Sequence, residues 1–361
     1  MKKICTVVGA RPQFIKLAMV SRVLRQAFQE VLIHTGQHYD HNMSDVFFEE
    51  MEIPKPDYNL GIFGGSHGKM TGQMMMKIEE VLLHEKPDML LVFGDTNSTM
   101  AAALAAVKLH IPVCHVEAGN RLGTLHNPEE INRIVTDHVS SLHLVCTASG
   151  VDFLKKEGFS DSVHLVGDPM YDAFVYYASK ADASVTKELV DFQGNPVMLP
   201  ERYYYLTCHR QENTDTDEKL RNIFDAMEQL EFPVIYPVHP RNHDRAERLC
   251  AAHQYSNIRL VQPVGYQTSI YLTSHAEKIV TDSGGVQREA FFAQKPCVTI
   301  FNHVGWPETM VNQCNQLALP DQKDILEKLS IKVVFDPAYQ PFGDGHASEK
   351  IVAKIKEFLH D

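Results

Sequence analysis

The chain has 361 residues, 44% hydrophobic and 22% charged, with a formal net charge of -12; this length suits two domains better than one core. The acidic balance argues against a nucleic-acid or anionic-membrane surface, and no apolar run approaches the ~20 residues that span a bilayer. The seven cysteines, among them Cys5, Cys114 and Cys297, lie far apart with no Cys-x-x-Cys pair, which sets aside a zinc ribbon or a disulfide framework and fits reduced thiols in a cytoplasm.

The N-terminal "MKKICTVVGARP" starts like a signal peptide, but its apolar stretch meets Arg11 and Pro12 at once. "KICTVV" instead reads as a strand and Pro12 as a helix start, with Leu17, Val20, Leu24 and Phe28 on one apolar face. "VLIHT" is a second strand. "MTGQMMMKIEEVLLHEK" reads as a helix, "DMLLVFGD" as a strand and "TMAAALAAVKLH" as a helix. "IPVCHV", "EEINRIVTDHV", "LHLVCT", "GVDFLKKEG" and "VHLVGD" continue the alternation. Strands apolar throughout and separated by helices indicate parallel sheets covered on both faces.

The rhythm breaks after Gly167, and residues 181–195 read as a polar linker. A second series follows: "YYYLTC", a helix from Glu218 to Leu230, "FPVIYPV", "NIRLVQPV", "KIVTDSGG", "PCVTIF" and a closing helix near 348–360. The predicted fold class is α/β, with two doubly wound, Rossmann-like domains facing a cleft. The expected division is 1–170, 171–345 and a C-terminal helix, 346–361, packing back on the first domain, with a hinge near Gly167–Ala173. Ligands in such sheets sit beyond the C-terminal strand ends.

Ionisable residues follow one strand after another. Arg11 and Lys16 follow the first; Asp95 and Glu117 follow "MLLVFG" and "IPVCHV"; His209 follows "YYYLTC"; Asp282, Ser283, Gly284 and Gly285 follow "KIVT". Taken singly, most have a plain structural reading, but Glu117, flanked by apolar residues on one side and small ones on the other, is harder to explain structurally. Asp95 suits a helix N-cap, Glu129 and Glu130 suit a helix dipole, and Arg11 and Lys16 suit a solvated first turn. Repetition at one edge of both sheets favours an active site.

"TDSGGVQREA" is the clearest ligand signal, because glycines before a helix let backbone N–H groups approach a phosphate, and Glu289 follows one turn later. The alternative is a Gly-rich turn capped by Asp282 or Ser283. No Walker loop and no Gly-x-Gly-x-x-Gly after the first strand are present, so no dinucleotide cofactor is expected. His38-x-x-His41 lacks a third ligand at a useful spacing, and no metal is expected. The Gly-x-Ser-x-Gly elbow of a serine hydrolase is missing as well.

"GARPQFIK", "TGQH", "FGDTNST", "HVEAGNR", "PEEINR", "TCHRQEN", "PVHPRN", "TDSGGVQREA" and "WPET" occur in order along nearly the whole chain. Together they resemble the non-hydrolysing UDP-N-acetylglucosamine 2-epimerase family. The resemblance implies a two-domain, glycosyltransferase-B-like fold, no cofactor, a cytoplasmic homodimer and a UDP-sugar substrate for cell-surface polysaccharide synthesis. It implies Asp95, Glu117 and Glu129 as catalytic carboxylates, with His209 among the catalytic residues. Arg11, Lys16, Arg133, Ser283, Gly284, Gly285 and Glu289 are then the substrate-binding residues. The implied reaction eliminates UDP to a 2-acetamidoglucal and adds it back with C2 inverted.

The chemistry supports this independently. A sugar C2–H is not next to a carbonyl, so a carboxylate of ordinary pKa near ~4 cannot remove it directly; departure of the C1 nucleotide acidifies it. Inversion then requires acid/base groups on both faces of C2. Several positions depart from the family's usual residues: Gln13 for Glu, Gln211 for Arg, Arg288 for Glu, Asn120 for Leu, and Phe301, Gly305 and Trp306 before Pro307-Glu308. "TGQHYDHNMSDVFF", "GGSHGKMTGQM" and the Trp-x-Glu-Thr ending resemble the subgroup acting on UDP-2,3-diacetamido-2,3-dideoxyglucuronate. A hydrolysing relative that releases UDP, a glycosyltransferase of the same architecture and a catalytically silent nucleotide-sugar binding protein are the other readings.

Overall fold

The computed structural model describes residues 1–37 and 48–360; the His38/His41 pair lies outside the described residues. The chain forms two compact units, Met1–Val175 with Gln340–Asp361, and Tyr176–Tyr339.

The first unit contains strands β1 (Lys3–Val8), β2 (Gln29–His34), β3 (Tyr58–Asn59), β4 (Met89–Phe93), β5 (Val113–Val116), β6 (Leu142–Val145) and β7 (Val163–Leu165). Helices α1 (Arg11–Ala27), α2 (His67–Glu85), α3 (Asn97–Lys108), α4 (Pro128–Val139), α5 (Ala148–Lys156) and α6 (Pro169–Ala178) lie between or after them. The strands form a parallel sheet in the order β3-β2-β1-β4-β5-β6-β7. Its strand order reverses beside β1, between β2 and β4. Such a switch point leaves a crevice outside the carboxyl ends of the strands, because the flanking connections run to opposite faces.

Burial explains these elements. The five residues of β4 are all buried, as a central parallel strand requires. Leu17, Val20 and Leu24 along α1 and Phe28 at its C-cap are fully buried, each contributing roughly 1.5–3 kcal/mol.

The second unit carries β8 (Tyr204–Thr207), α7 (Gln211–Thr214), α8 (Asp217–Glu228), β9 (Val234–Pro237), α9 (His243–His253), β10 (Ile258–Val261) and α10 (Tyr266–His275). It continues with β11 (Ile279–Thr281), α11 (Gly284–Phe292), β12 (Cys297–Ile300), β13 (Asn315–Ala318) and α12 (Gln322–Ser330). Its parallel sheet runs β10-β9-β8-β11-β12-β13, with the switch between β8 and β11. The last helix, α13 (Ala347–Leu359), belongs to the first unit and packs on α1. The Asp172 carboxylate accepts from the Ala347 and Ser348 N–H groups at 3.0 and 2.7 Å, satisfying orphan donors at the start of α13.

One local expectation needs correction, that of a mere linker at residues 181–195. Pro169–Ala178, over the stretch read for a hinge, is a helix; Met170, Ala173 and Phe174 are buried at helical spacing, and the Asp168 side chain accepts from Met170 N–H at 2.9 Å. Residues 181–195 are more than a linker, because Leu189 is buried in a cluster with Tyr203, Tyr205 and Ile235. Met74 is core, whereas Met76 on the same helix is exposed. All seven cysteines are free, and all but Cys250 are buried; burial pushes the Cys5 and Cys297 thiols up to about 12.

Candidate active site

The loops after β1, β4 and β5 meet at the first switch point. Gln13 joins two of them: its side-chain oxygen accepts from the Gly9 and Ala10 N–H groups at 2.8 and 3.0 Å, and its amide donates to the Phe93 carbonyl and to Thr99 Oγ1 at 2.8 and 2.9 Å. A glutamate here could supply at most one of those two donations, and only when protonated. Gly9 is required sterically, since a Cβ would lie 2.1 Å from Thr35 Oγ1 and 2.3 Å from Ser98 Oγ.

Lys16, given by the resemblance as substrate-binding, is 2% exposed, with Nζ 2.5 Å from Glu117 Oε2. Glu117 is itself buried and has φ +69°, a left-handed conformation that is costly for a side-chain-bearing residue. Gly94 leaves room for the pair, since a Cβ there would lie 3.3 Å from Lys16 Nζ and 3.4 Å from Glu117 Oε1. Glu117, Cys146 and Asp168 each place one donor atom within 4.8 Å of the others. Lys16 already supplies positive charge to that group, and we assign no metal to it.

Asp95 is not the cap of α3. Thr96 takes that role, accepting from Thr99 N–H at 3.3 Å, so the Asp95 carboxylate is available to accept from Arg133 Nη2 at 2.6 Å. Arg133 Nη1 donates to Glu130 at 2.8 Å, and Glu130 also accepts from the Leu122 and Gly123 N–H groups at 2.9 and 3.0 Å. The two glutamates of "PEEINR" therefore differ. Glu130 is buried and committed to structure, while Glu129 is exposed in the first turn of α4. Arg11 is half-buried at the first residue of α1.

α4 carries a signal that sequence reasoning missed. It buries Glu130, Asn132, Arg133, Thr136 and Asp137 while Ile131 is exposed, the reverse of an ordinary amphipathic helix. The spacing of Glu130, Arg133 and Asp137 at i, i+3 and i+7 marks that face in the sequence.

In the second unit, Asp282 organises the switch between β8 and β11. Its Oδ2 accepts from the His209 and Arg210 N–H groups at 2.8 and 2.7 Å, and Oδ1 lies 2.9 Å from His209 Nδ1. Burial pushes this carboxyl up, but the His209 ring and the two backbone N–H groups outweigh it and hold it at about 2. Ser283 caps α11, accepting from Val286 N–H at 3.4 Å, so part of the plain reading of this turn holds. Gly284 and Gly285 open the helix and Glu289 is buried one turn on. Two of the unusual residues have a packing role: Phe301 lies against the Arg210 guanidinium at 4.3 Å, and Trp306 against that of Arg288 at 4.1 Å.

A family model described as UDP-N-acetylglucosamine 2-epimerase matches residues 22–356. The chain is 46% identical over 361 residues to a UDP-N-acetylglucosamine 2-epimerase homolog of Methanococcus maripaludis, covering 98% of this chain and 99% of that one. The chain belongs to the UDP-N-acetylglucosamine 2-epimerase family. This epimerase is also 43% identical over 359 residues to the UDP-2,3-diacetamido-2,3-dideoxy-D-glucuronate 2-epimerase of Pseudomonas aeruginosa, covering 97% of this chain and 98% of that one. Among solved structures it resembles UDP-GlcNAc 2-epimerase of Methanocaldococcus jannaschii in complex with UDP-GlcNAc and UDP, with a TM-score of 0.88, 37% identity and coverage of 98% and 99% of the two chains. The epimerase thus has the α/β fold expected from its strand pattern.

Proposed function

We propose that this epimerase inverts C2 of a UDP-2-acetamido sugar without net hydrolysis. One carboxylate takes the C2 proton while the C1–O bond breaks; the C–H electron pair becomes the C1=C2 bond of a 2-acetamidoglucal, and UDP leaves with the oxygen. UDP then adds back to C1 and a proton is returned to the other face of C2. Asp95 and Glu117 handle the C2 proton, and Glu129 supports or exchanges roles with them. Lys16 holds Glu117, and Arg133 holds Asp95. His209 acts among the catalytic residues and, with Ser283, Gly284, Gly285 and Glu289, holds the UDP portion and the reacting sugar, with Arg11 adding positive charge for the leaving diphosphate.

The observation carrying this reading is that Asp95 and Glu117 follow the adjacent strands β4 and β5, each with a basic side chain within 2.6 Å. Inversion requires two such groups, because a base on one face cannot reprotonate the other. A second substrate, UDP-2,3-diacetamido-2,3-dideoxyglucuronate, is favoured by the 43% identity to the Pseudomonas enzyme and by the Trp306-Pro307-Glu308-Thr309 ending. We further propose that the protein works as a cytoplasmic homodimer supplying polysaccharide precursors.

The test incubates UDP-GlcNAc, or the diacetamido-glucuronate, with the protein in deuterated water and follows C2 by NMR. Deuterium at C2 of the recovered UDP-sugars is expected, with exchange lost in Asp95→Asn and Glu117→Gln. Unchanged exchange in both variants would remove the catalytic assignment. Stoichiometric free UDP without a UDP-linked epimer would instead identify a hydrolysing enzyme.

A further inference from the structure

Asp137, on the third turn of α4, is fully buried and reaches both loops that carry the proposed catalytic carboxylates. Its Oδ1 accepts from His115 Nδ1 at 2.6 Å, and the other nitrogen of that ring, Nε2, donates to the Gly94 carbonyl at 2.7 Å. Through His115, Asp137 therefore holds the peptide that immediately precedes Asp95. Its Oδ2 accepts from Gly119 N–H at 3.1 Å and lies 2.7 Å from Arg121 Nη1. Arg121 is fastened in turn to Glu157 by two bonds of 2.7 Å.

The three donors to Asp137 come from positions 115, 119 and 121, on both sides of Glu117. That residue has the left-handed backbone, φ +69°, which persists only where the surroundings over-determine it. His115, in β5, lies two residues before the strained residue, and Gly119 and Arg121 follow it. Burial alone would push the Asp137 carboxyl up; the His115 ring and the Arg121 guanidinium outweigh that and hold it at about 2.

We propose that Asp137 is a positioning residue for the epimerisation: it fixes the spacing of the Asp95 and Glu117 loops and stabilises the left-handed conformation at Glu117. The inference rests on the assignment of those two carboxylates to the C2 proton. Asp137 itself touches no reacting atom. An asparagine in its place presents an N–H2 group to donors that need an acceptor, so at least one of the three ties is lost. A displacement of about 1 Å in a reacting group can cost roughly 100-fold in rate.

The test compares wild type, Asp137→Asn and His115→Gln for C2 deuterium exchange, UDP affinity by calorimetry and thermal midpoint. Exchange by the wild type is the control for the functional reading; its absence would overturn that reading and this inference with it. With an active wild type, Asp137→Asn is expected to lower kcat about 100-fold while KM and UDP affinity stay within twofold. A structural role alone would move the thermal midpoint and leave kcat of the folded protein within threefold, and that result overturns the inference. Should Asp137→Asn fail to fold, His115→Gln carries the test. It leaves Asp137 in place and removes the tie to Gly94, so kcat should fall at least tenfold; an unchanged kcat would again overturn it.

Discussion

Lys16 Nζ sits 2.5 Å from Glu117 Oε2, with both side chains almost wholly buried. Removing one partner of a buried ion pair leaves an uncompensated charge, which typically costs 3–5 kcal/mol. Lys16→Met is therefore expected to destabilise the protein by about that amount and to abolish C2 exchange. The double variant Lys16→Met/Glu117→Gln should recover most of the stability while remaining inactive. Thermal melting checks this; a double variant no more stable than Lys16→Met would show that the loss has another source.

The adjacent glutamates of α4 should separate cleanly. Glu130 is buried against Arg133 and two backbone N–H groups, so Glu130→Ala is expected to cost about 2–4 kcal/mol. Glu129 is exposed, and Glu129→Gln should leave the unfolding midpoint unchanged while slowing C2 exchange at least tenfold. Normal exchange in Glu129→Gln would transfer its proposed role elsewhere.

Gly119, two residues after Glu117, has φ +81°, and a Cβ there would lie 2.4 Å from the backbone oxygen of Gly150. Backbone cannot swing aside as a flexible side chain can. Gly119→Ala is expected to cost about 2–4 kcal/mol, measurable by denaturant titration, and to reduce activity by disturbing the turn that holds Glu117. A midpoint equal to that of the wild type would contradict the close approach.

Acid should destabilise the protein in a defined window. Asp137 and Asp282 both have carboxyls held at about 2 in the folded state, below the ordinary value near ~4. A depressed folded value means that the unfolded chain takes up the proton first as pH falls. The stability contributed by these groups is thus fully present above about pH 4 and is lost as pH falls toward 2. Asp172, pushed up mainly by burial, works in the opposite sense. Thermal midpoints measured from pH 7 to 2 should fall most steeply below 4, and the fall should be shallower in Asp137→Asn.

Much of the architecture was legible because its signals are local. β1 matches "KICTVV", the alternation of apolar strands with periodic helices implied parallel sheets, and the Ser283 turn declared itself through its two glycines. The polar segment at 181–195 misled because Leu189 takes its place in the core through contacts with distant residues. Likewise, Pro169–Ala178 lay inside a stretch read for its break in rhythm rather than for its own periodicity.

From its order of residues alone, the chain determined its α/β class, its family motifs and the residue types that follow each strand, since these depend on propensity, periodicity and neighbouring positions. Only the folded arrangement decided what those residues do. It buried Lys16 against Glu117, separated Glu130 from Glu129 and tied His115 and Arg121 to Asp137 rather than leaving them open for a ligand. Each outcome depends on which partners parallel pairing brings within hydrogen-bond distance, and the energy of a buried charge is set by that neighbour rather than by its own identity.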